Sequence, residues 1–345
     1  MRASLVLCFA AAFACRDSGS KSERDVAPSA KSGGAAKPPS TAKLATDAAA
    51  KSSPAALNDP WAVAADPADP PTLGERHRIA DEACPAIKQP YFYRIEKAGK
   101  VSYILGTRHF GVSLTKFPPV VQKAIASSKL AVFEVAPDDH VNTATKKVSL
   151  PDALGPQLWS RYQTLVGAET AQAVARGAPS TAMIAMMVMY EDIGSMLDME
   201  IERKVLAAHI PTRGLERGEF QDKLLDKLLD LRMLRAAIEH TKDRNELAKE
   251  SRDDLAEYCS GTDDSPGMDE DMRADLLAAG YSKQEIDEID EEMVFARNAD
   301  WIPKLEKIFE KGNVFVAVGA DHLSGPRGVV ALLAKRGYTL TRVTQ

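Results

Sequence analysis

Two histidines follow predicted β-strands at the same short spacing. Residues 101–105 form an apolar run that ends in Gly106-Thr-Arg-His109, and residues 314–318 form a second run that ends in Gly319-Ala-Asp-His322. A glycine at a strand end allows a sharp turn and a close approach of the backbone, and α/β sheets bind ligands at the carboxyl ends of their strands. We therefore predict that both imidazoles lie at one edge of one sheet.

Two glutamates have a similar setting. Glu134 lies inside the apolar run 131–135, where a lone buried charge is costly unless it is paired or bound to a metal. Glu216 follows a short predicted strand at 210–214. Two imidazoles and two carboxylates at one sheet edge suit Mn²⁺, Co²⁺ or Zn²⁺, with open positions for water.

Each of the four residues, taken singly, also has a structural interpretation, although their joint pattern favours function. A glutamate in a strand often pairs with an arginine of a neighbouring helix, and a histidine after a glycine is often an ordinary loop residue. Three arginines are candidates for such an ion pair: Arg108, Arg213 and Arg297. Both interpretations stay open at the level of sequence.

The order of apolar runs and helical periodicities predicts a mixed α/β (α+β) fold. Strands are predicted at residues 91–96 and 101–105, which form a hairpin, and at 130–135, 210–214, 314–318 and 338–343. Helices are predicted at 118–128, through most of 151–209, and at 219–258, 301–310 and 328–335. The methionine-rich piece at 183–189 is expected to belong to the core rather than to a ligand site.

The N-terminus has the pattern of a secretory signal peptide over residues 1–14. Arg2 precedes an apolar run at 5–14, and Cys15 follows it directly, which predicts export and lipidation of Cys15. The alternative is ordinary cleavage after Ala14, because Ala12 stands where a lipobox usually has leucine. Residues 15–58, which follow, are predicted to be a disordered linker rich in Ala, Ser, Pro and Lys. We expect a periplasmic or outer-surface protein, anchored to a membrane if Cys15 is acylated.

Charge and motifs exclude several classes of protein. The chain has 44 Lys and Arg residues against 49 Asp and Glu, a net charge of −5, which argues against a nucleic-acid partner. No apolar run after residue 14 reaches the roughly 18 residues of a membrane-spanning helix. The sequence has no G-x-S-x-G elbow, no P-loop and no H-E-x-x-H motif. The motifs typical of serine hydrolases, nucleotide-dependent enzymes and zincins are thus missing, which argues against these three classes.

Two cysteines remain after the N-terminal segment, Cys84 and Cys259. In an oxidising compartment two such cysteines are expected to pair. Two free thiols are the alternative, because the sequence gives no distance between them.

Several of these residues carry a family resemblance. The segments Gly106-Thr-Arg-His109 and Gly214-Leu-Glu216, the strand residue Glu134, the pair Arg297-Asn298 and the block 315–325 resemble the TraB/GumN family. They are similar also to the Tiki metalloproteases, which share two Gly-x-x-His motifs and a glutamate with them. The resemblance covers about residues 90–343. It implies a domain at 59–345 with a central sheet of the erythromycin-esterase/ChaN-like type and a helical insertion at about 151–310.

The resemblance also implies roles for the residues. His109, His322 and Glu134 would hold a divalent metal (Mn, Co or Zn), or the histidines would be catalytic. Glu134 and Glu216 would be a ligand and a general base, in an order that stays open, and Arg297 would bind a substrate carboxylate or stabilise an oxyanion.

The function expected from the resemblance is a metal-dependent, peptidase-like hydrolase that acts on a peptide or protein substrate. The alternative is a surface lipoprotein on the same fold that binds a peptide or small ligand without turnover.

Overall fold

The computed structural model describes residues 70–139, 147–262, 267–268 and 270–344, with the backbone alone for residue 271. The predicted signal peptide (1–14), the lipidation site Cys15 and the linker to residue 58 lie outside the described residues. None of the helices in the described part has the length and apolar character needed to span a membrane.

A six-stranded mixed sheet lies at the centre of the described residues, in the order β4-β3-β5-β2-β1-β6. The strands are β1 Phe92–Lys97, β2 Lys100–Thr107, β3 Leu130–Val135, β4 Thr212–Glu216, β5 Val314–Gly319 and β6 Thr339–Arg342. The four strands β4, β3, β5 and β2 are mutually parallel, whereas β1 is antiparallel to both β2 and β6. The carboxyl ends of four strands therefore meet at one edge. The mixed α/β class predicted from the sequence is confirmed.

Helices cover the sheet and form most of the chain between β3 and β5. They are α1 Leu73–Ala83, α2 Pro119–Ser127, α3 Leu150–Leu154, α4 Pro156–Val166, α5 Ala168–Val174, α6 Pro179–Met187, α7 Leu197–Ala207, α8 Gly218–Leu228, α9 Leu231–His240, α10 Arg244–Ser260, α11 Glu270–Ala278, α12 Lys283–Asp290, α13 Ala296–Phe309 and α14 Val329–Lys335. Several begin with sequence-encoded caps, such as the capping boxes at Thr72 and Ser282, which satisfy backbone donors at the helix start.

The core has two parts. One surrounds the sheet; every residue of β5 is buried between β3 and β2, and the fully buried Trp301 belongs to the same cluster. The other lies among the helices and contains Met183, Met186 and Met189, all buried. These methionines are therefore part of the core, where flexible thioethers can fill gaps between helices.

Two elements differ from their predicted bounds in ways that affect the site. Strand β4 begins at Thr212 rather than at residue 210, because Pro211 lacks the N–H that a ladder residue donates, and it therefore includes Glu216 as its last residue. Helix α13 begins at Ala296, five residues earlier than position 301. It follows α12 directly through one turn of π-helix, Glu291–Phe295, so no capping residue marks its start.

Gly106 shows why the first Gly-x-x-His motif needs its glycine. It lies within β2, where no turn occurs, and a Cβ atom there would come within 3.0 Å of the Ala320 Cα and 2.9 Å of the Tyr91 Cβ. Its carbonyl accepts a hydrogen bond from the Tyr258 hydroxyl, at 2.8 Å. The glycine thus serves close packing against the exit of β5 rather than a sharp turn.

A disulfide joins Cys84, at the end of α1, to Cys259, in the last turn of α10. The Cα atoms are 5.7 Å apart, within the usual range for a disulfide, and both residues are buried. The bridge links residues 175 positions apart and fastens the end of α1 to α10, whose Tyr258 donates to the Gly106 carbonyl of β2.

Removal of this disulfide is expected to lower the free energy of unfolding by about 2–5 kcal/mol, because the link restricts a long loop of the unfolded chain. The double variant Cys84→Ala/Cys259→Ala tests this by urea denaturation followed by circular dichroism. Reductant should bring the wild type to the midpoint of the variant and leave the variant unchanged. Equal midpoints for the oxidised wild type and the variant would contradict the prediction.

Candidate functional site

Four polar residues form a row along the carboxyl edge of the sheet. Glu216 ends β4, Glu134 lies near the end of β3, His322 follows β5 in a short 3-10 turn, and His109 follows β2 by two residues. The strand order β4-β3-β5-β2 sets the order of the row. The structure thus brings together the residues that the sequence singled out on four separate segments.

Arg297, on the first turn of α13, lies in the middle of this row with its guanidinium 2 % exposed. Its Nη2 donates to Oε2 of Glu134 and to Oε1 of Glu216, each at 2.6 Å, and its Nε donates to Oε2 of Glu216 at 3.1 Å. Its Nη1 donates to the Met293 carbonyl at 2.8 Å and contacts Nε2 of His322 at 3.1 Å. These contacts engage all five N–H donors of a guanidinium.

The two glutamates receive further hydrogen bonds from their surroundings. Oε1 of Glu134 accepts from the backbone N–H of Gly319 at 2.8 Å. Gln221 on α8 donates to both carboxylates, at 3.2 and 3.3 Å, and the Trp301 indole N–H donates to Glu216 at 3.2 Å. Such complete pairing is what makes buried charges tolerable.

The pKa directions of this group follow from burial and pairing. Burial raises the pKa of Glu216, and the nearby Arg297 charge offsets only part of that effect. For Arg297, burial opposes the charge, but Glu134 and Glu216 outweigh it, so its pKa lies above the ordinary value. The site therefore holds a permanent cation and a carboxyl group whose proton affinity is increased.

His322 is fully buried and neutral. Burial, the Arg297 charge and the nearby His109 all lower its pKa well below the ordinary value. Its Nδ1 donates to Oδ1 of Asn298 at 2.7 Å; the Asn298 amide is oriented by its own donation to the Arg327 carbonyl, at 3.1 Å. Nε2 of His322 therefore carries the lone pair, and it accepts from Arg297.

His109 is held by a carboxylate that the sequence did not single out. Its Nδ1 hydrogen-bonds Oδ2 of Asp198, near the start of α7. Burial raises the pKa of Asp198, but the charge and hydrogen bond of His109 outweigh it, so the pKa lies below the ordinary value. The carboxylate fixes the orientation of the ring and places the other ring nitrogen on the side away from Asp198.

Of the three arginines proposed as structural partners for a strand glutamate, only Arg297 pairs with one in the described residues. Arg108 lies in the first Gly-x-x-His motif but donates to the buried Glu191 at 2.7 Å. Arg213 is exposed on the edge strand. Asp198, Gln221 and Trp301 contact the site from helices, and no local motif in the sequence marks any of them.

A cleft of about 610 Å³ opens onto one end of the row. Its lining includes Glu216 and Arg297, the aromatic Phe220 of α8 and Lys304 of α13. This volume lies in the range of sites that bind small molecules or short peptides. The buried carboxyl of Glu216 is thus reachable from solvent through the cleft.

The donor set does not suit a resident metal ion in the described arrangement. The oxygen atoms of Glu134 and Glu216 and the Nε2 atom of His322 all accept hydrogen bonds, chiefly from Arg297. In the part of the chain that the structure describes, no three His, Cys, Asp or Glu side chains form a metal-binding group. A guanidinium takes the position between the carboxylates that the sequence suggested for a cation.

Replacing Arg297 with methionine is expected to destabilise the protein by about 3–5 kcal/mol, because two buried carboxylates lose their counter-charge. Urea denaturation measures the loss. The matched control is Arg327→Met, which removes an arginine paired with Glu291 at the surface and is expected to cost about 0–1 kcal/mol. Equal losses in the two variants would show that the buried pair contributes no more than the exposed one.

The neutral state of His322 predicts a pH dependence. The unfolded chain binds a proton on this residue below a pKa of about 6.5, whereas the folded chain does not, so stability is lost as the pH falls through this value. Between pH 7 and 5 the free energy of unfolding should fall more steeply with decreasing pH in the wild type than in His322→Gln. The difference between the two slopes should approach about 1.4 kcal/mol per pH unit. Urea midpoints at each pH measure it, with the exposed His240→Gln as the matched control. The same slope in wild type and His322→Gln would contradict a buried neutral imidazole.

Comparison with known protein families assigns most of the chain to a family. The model of the TraB/PrgY/gumN family matches residues 91–342, which include all six strands and every residue of the row. Among curated proteins and among solved structures, none matches the chain. The family predicted from the sequence is confirmed: the chain belongs to the TraB/PrgY/gumN family.

Proposed function

We propose that this chain is a peptidase-like hydrolase. Its site is the row of Glu216, Glu134, His322 and His109, together with Arg297. The observation that carries the proposal is the cleft of about 610 Å³ that ends on Glu216 and Arg297. A buried carboxyl with a raised pKa at the end of a cleft is a typical acid–base group.

Glu216 is the proposed acid–base residue, because it lines the cleft, whereas Glu134 is not among the lining residues and accepts a hydrogen bond from the Gly319 N–H. Its carboxylate would take a proton from a water that attacks the substrate carbonyl and return it to the leaving amine. Arg297 is first a positioning residue that orients both carboxylates. Its predicted second role, at a substrate carboxylate or an oxyanion, requires one of its five bonds to be exchanged for the substrate.

The metal-dependent form of this hydrolysis is the one that the sequence predicts. Mn, Co or Zn bound by His109, His322 and Glu134 would require Arg297 to leave its present position. A titration with the ions separates the two forms.

We also propose that the protein is exported and that Cys15 anchors it to a membrane as a lipoprotein, in the periplasm or on the outer surface. The Cys84–Cys259 disulfide supports export, because such bridges persist in oxidising compartments. The erythromycin-esterase/ChaN-like type of the sheet belongs to the same proposal; the parallel strands β4-β3-β5-β2 with site residues at their carboxyl ends are consistent with it.

A binding protein without turnover is the second candidate function. It is favoured by the saturation of the site: all five donors of Arg297 are engaged. Such a site can form the rigid base of a cleft that binds a peptide or small ligand, and it need not perform chemistry.

The decisive experiment is peptide hydrolysis by the full chain after treatment with EDTA, over a panel of fluorogenic peptides. We expect Glu216→Gln to lower kcat/KM by about 10²–10⁴-fold, the usual contribution of an acid–base group. The exposed Glu219→Gln, three residues away on α8, is the matched control and should retain full activity. Unchanged activity in Glu216→Gln would overturn the proposed role.

Two further outcomes would identify the protein as a metal-dependent hydrolase or as a binding protein. Activity and melting temperature that rise with Mn²⁺, Co²⁺ or Zn²⁺ in the wild type, but not in His109→Ala or His322→Ala, would establish the metal-dependent form. Stoichiometric uptake of a peptide with no product across the panel would establish the binding protein.

A further inference from the structure

Strand β4 is an edge strand, and its last three residues line the cleft. In the described sheet β4 pairs with β3 alone. Gly214, Leu215 and Glu216 of β4 line the cleft together with Arg217 and with residues of α8 and α13. An unpaired edge is a template for an additional strand.

The register of β4 shows which backbone groups face that edge. The Ala131 N–H donates to the Pro211 carbonyl, at 2.9 Å, and Ala131 pairs in register with Thr212. Because successive residues of a strand point to opposite sides, residues 211, 213 and 215 bond β3. Thr212, Gly214 and Glu216 therefore direct their N–H and C=O groups outward, and no other described strand pairs with them.

The bond from Lys304 leaves this edge open. Its Nζ donates to the Leu215 carbonyl at 2.8 Å, and Leu215 is one of the residues that face β3. Lys304 thus does not bond the outward groups of Gly214 and Glu216, and both residues line the cleft. Glu216 therefore belongs to the open edge and also carries the proposed acid–base carboxyl.

An apolar side chain stands beside the same edge. Phe220, on the first turns of α8, is 48 % exposed, and with Leu224 it lines the cleft. Few large apolar side chains of the described residues are as exposed as Phe220. Its position offers a surface for one apolar side chain of a chain lying along β4.

We infer that the cleft binds its substrate as an extended peptide that adds a strand to the free edge of β4 and places an apolar side chain against Phe220. This inference rests on the proposed peptidase-like function. Backbone hydrogen bonds to Thr212, Gly214 and Glu216 supply the register. These backbone bonds hold a peptide bond beside the Glu216 carboxyl whatever side chains the substrate peptide has elsewhere. Phe220 supplies the preference for an apolar residue.

The probe is a fluorescein-labelled peptide with blocked ends and the sequence Lys-Thr-Leu-Thr-Leu-Thr-Lys, and binding is measured by anisotropy. The full chain carries Glu216→Gln, so that turnover does not interfere. Two N-methylated versions complete the set, one methylated at the leucines and one at the threonines. In an added strand, either the leucine N–H groups or the threonine N–H groups face β4. Methylation of the set that faces β4 should lower the affinity at least tenfold, and methylation of the other set should leave the affinity unchanged.

Phe220→Ala should weaken binding of the leucine peptide at least fivefold and leave a version with alanine at both leucines unchanged. Leu277→Ala is the matched control, because Leu277 is an exposed apolar residue on α11, away from the lining of the cleft. Equal affinity of the two N-methylated versions, or no binding of the probe at millimolar concentration, overturns the inference. So does probe-independent pairing of two copies through β4, seen as a dimer by light scattering that Thr212→Pro abolishes.

The outcomes separate this inference from the proposed function. Edge-dependent binding in a chain that cleaves no peptide would leave the inference standing as a binding mode and remove the hydrolase. Cleavage of peptides whose affinity does not depend on the methylated face would keep the hydrolase and overturn the inference.

Discussion

The ion pair of Arg297 with Glu134 and Glu216 is the interaction on which the rest of the site depends. Burying three charges is costly unless every donor and acceptor is satisfied, and the fold meets this requirement from five directions. The Gly319 N–H, the Gln221 amide, the Trp301 indole, the Met293 carbonyl and the His322 imidazole each supply one partner. Removing any one of them takes a hydrogen bond from this buried group, and because the partners lie on β5, α8 and α13, the network ties these elements to one another.

This requirement explains why the helical part of the chain cannot be independent of the sheet. Arg297 belongs to α13 and Gln221 to α8, whereas the carboxylates belong to β3 and β4. Asp198 of α7 reaches His109 at the other end of the row, and Tyr258 of α10, next to the Cys84–Cys259 bridge, donates to the Gly106 carbonyl of β2. The helices that follow β3 in sequence thus return to the sheet edge at three separate points, and the site exists only when they do.

The sequence predicted what local patterns encode. Strand β3 has the bounds that its apolar run indicates, and β5 is longer by one residue, because continuous apolar runs report burial on both faces. The start of α13 was not predictable, because a π-turn joins it to α12 without a capping residue. Gln221, Asp198 and Trp301 lie on amphipathic helices whose pattern is satisfied by packing alone, so nothing local distinguishes their contacts with the site. The sequence also could not tell which cation lies between the carboxylates, since two glutamates suit an arginine as well as a metal.

The identity of that cation decides what chemistry the site can perform. A guanidinium holds two carboxylates in fixed positions, but it does not release a proton at any pH that a protein survives, and its donors are fixed in direction. Proton transfer therefore falls to Glu216, whose proton affinity is raised by burial and which lies where the cleft and the free edge of β4 meet. A carboxyl so placed can act on a bond only if that bond is held still beside it. An edge strand does this through backbone hydrogen bonds, which every peptide offers, and so the same strand that positions the acid–base group can also position the bond on which it acts.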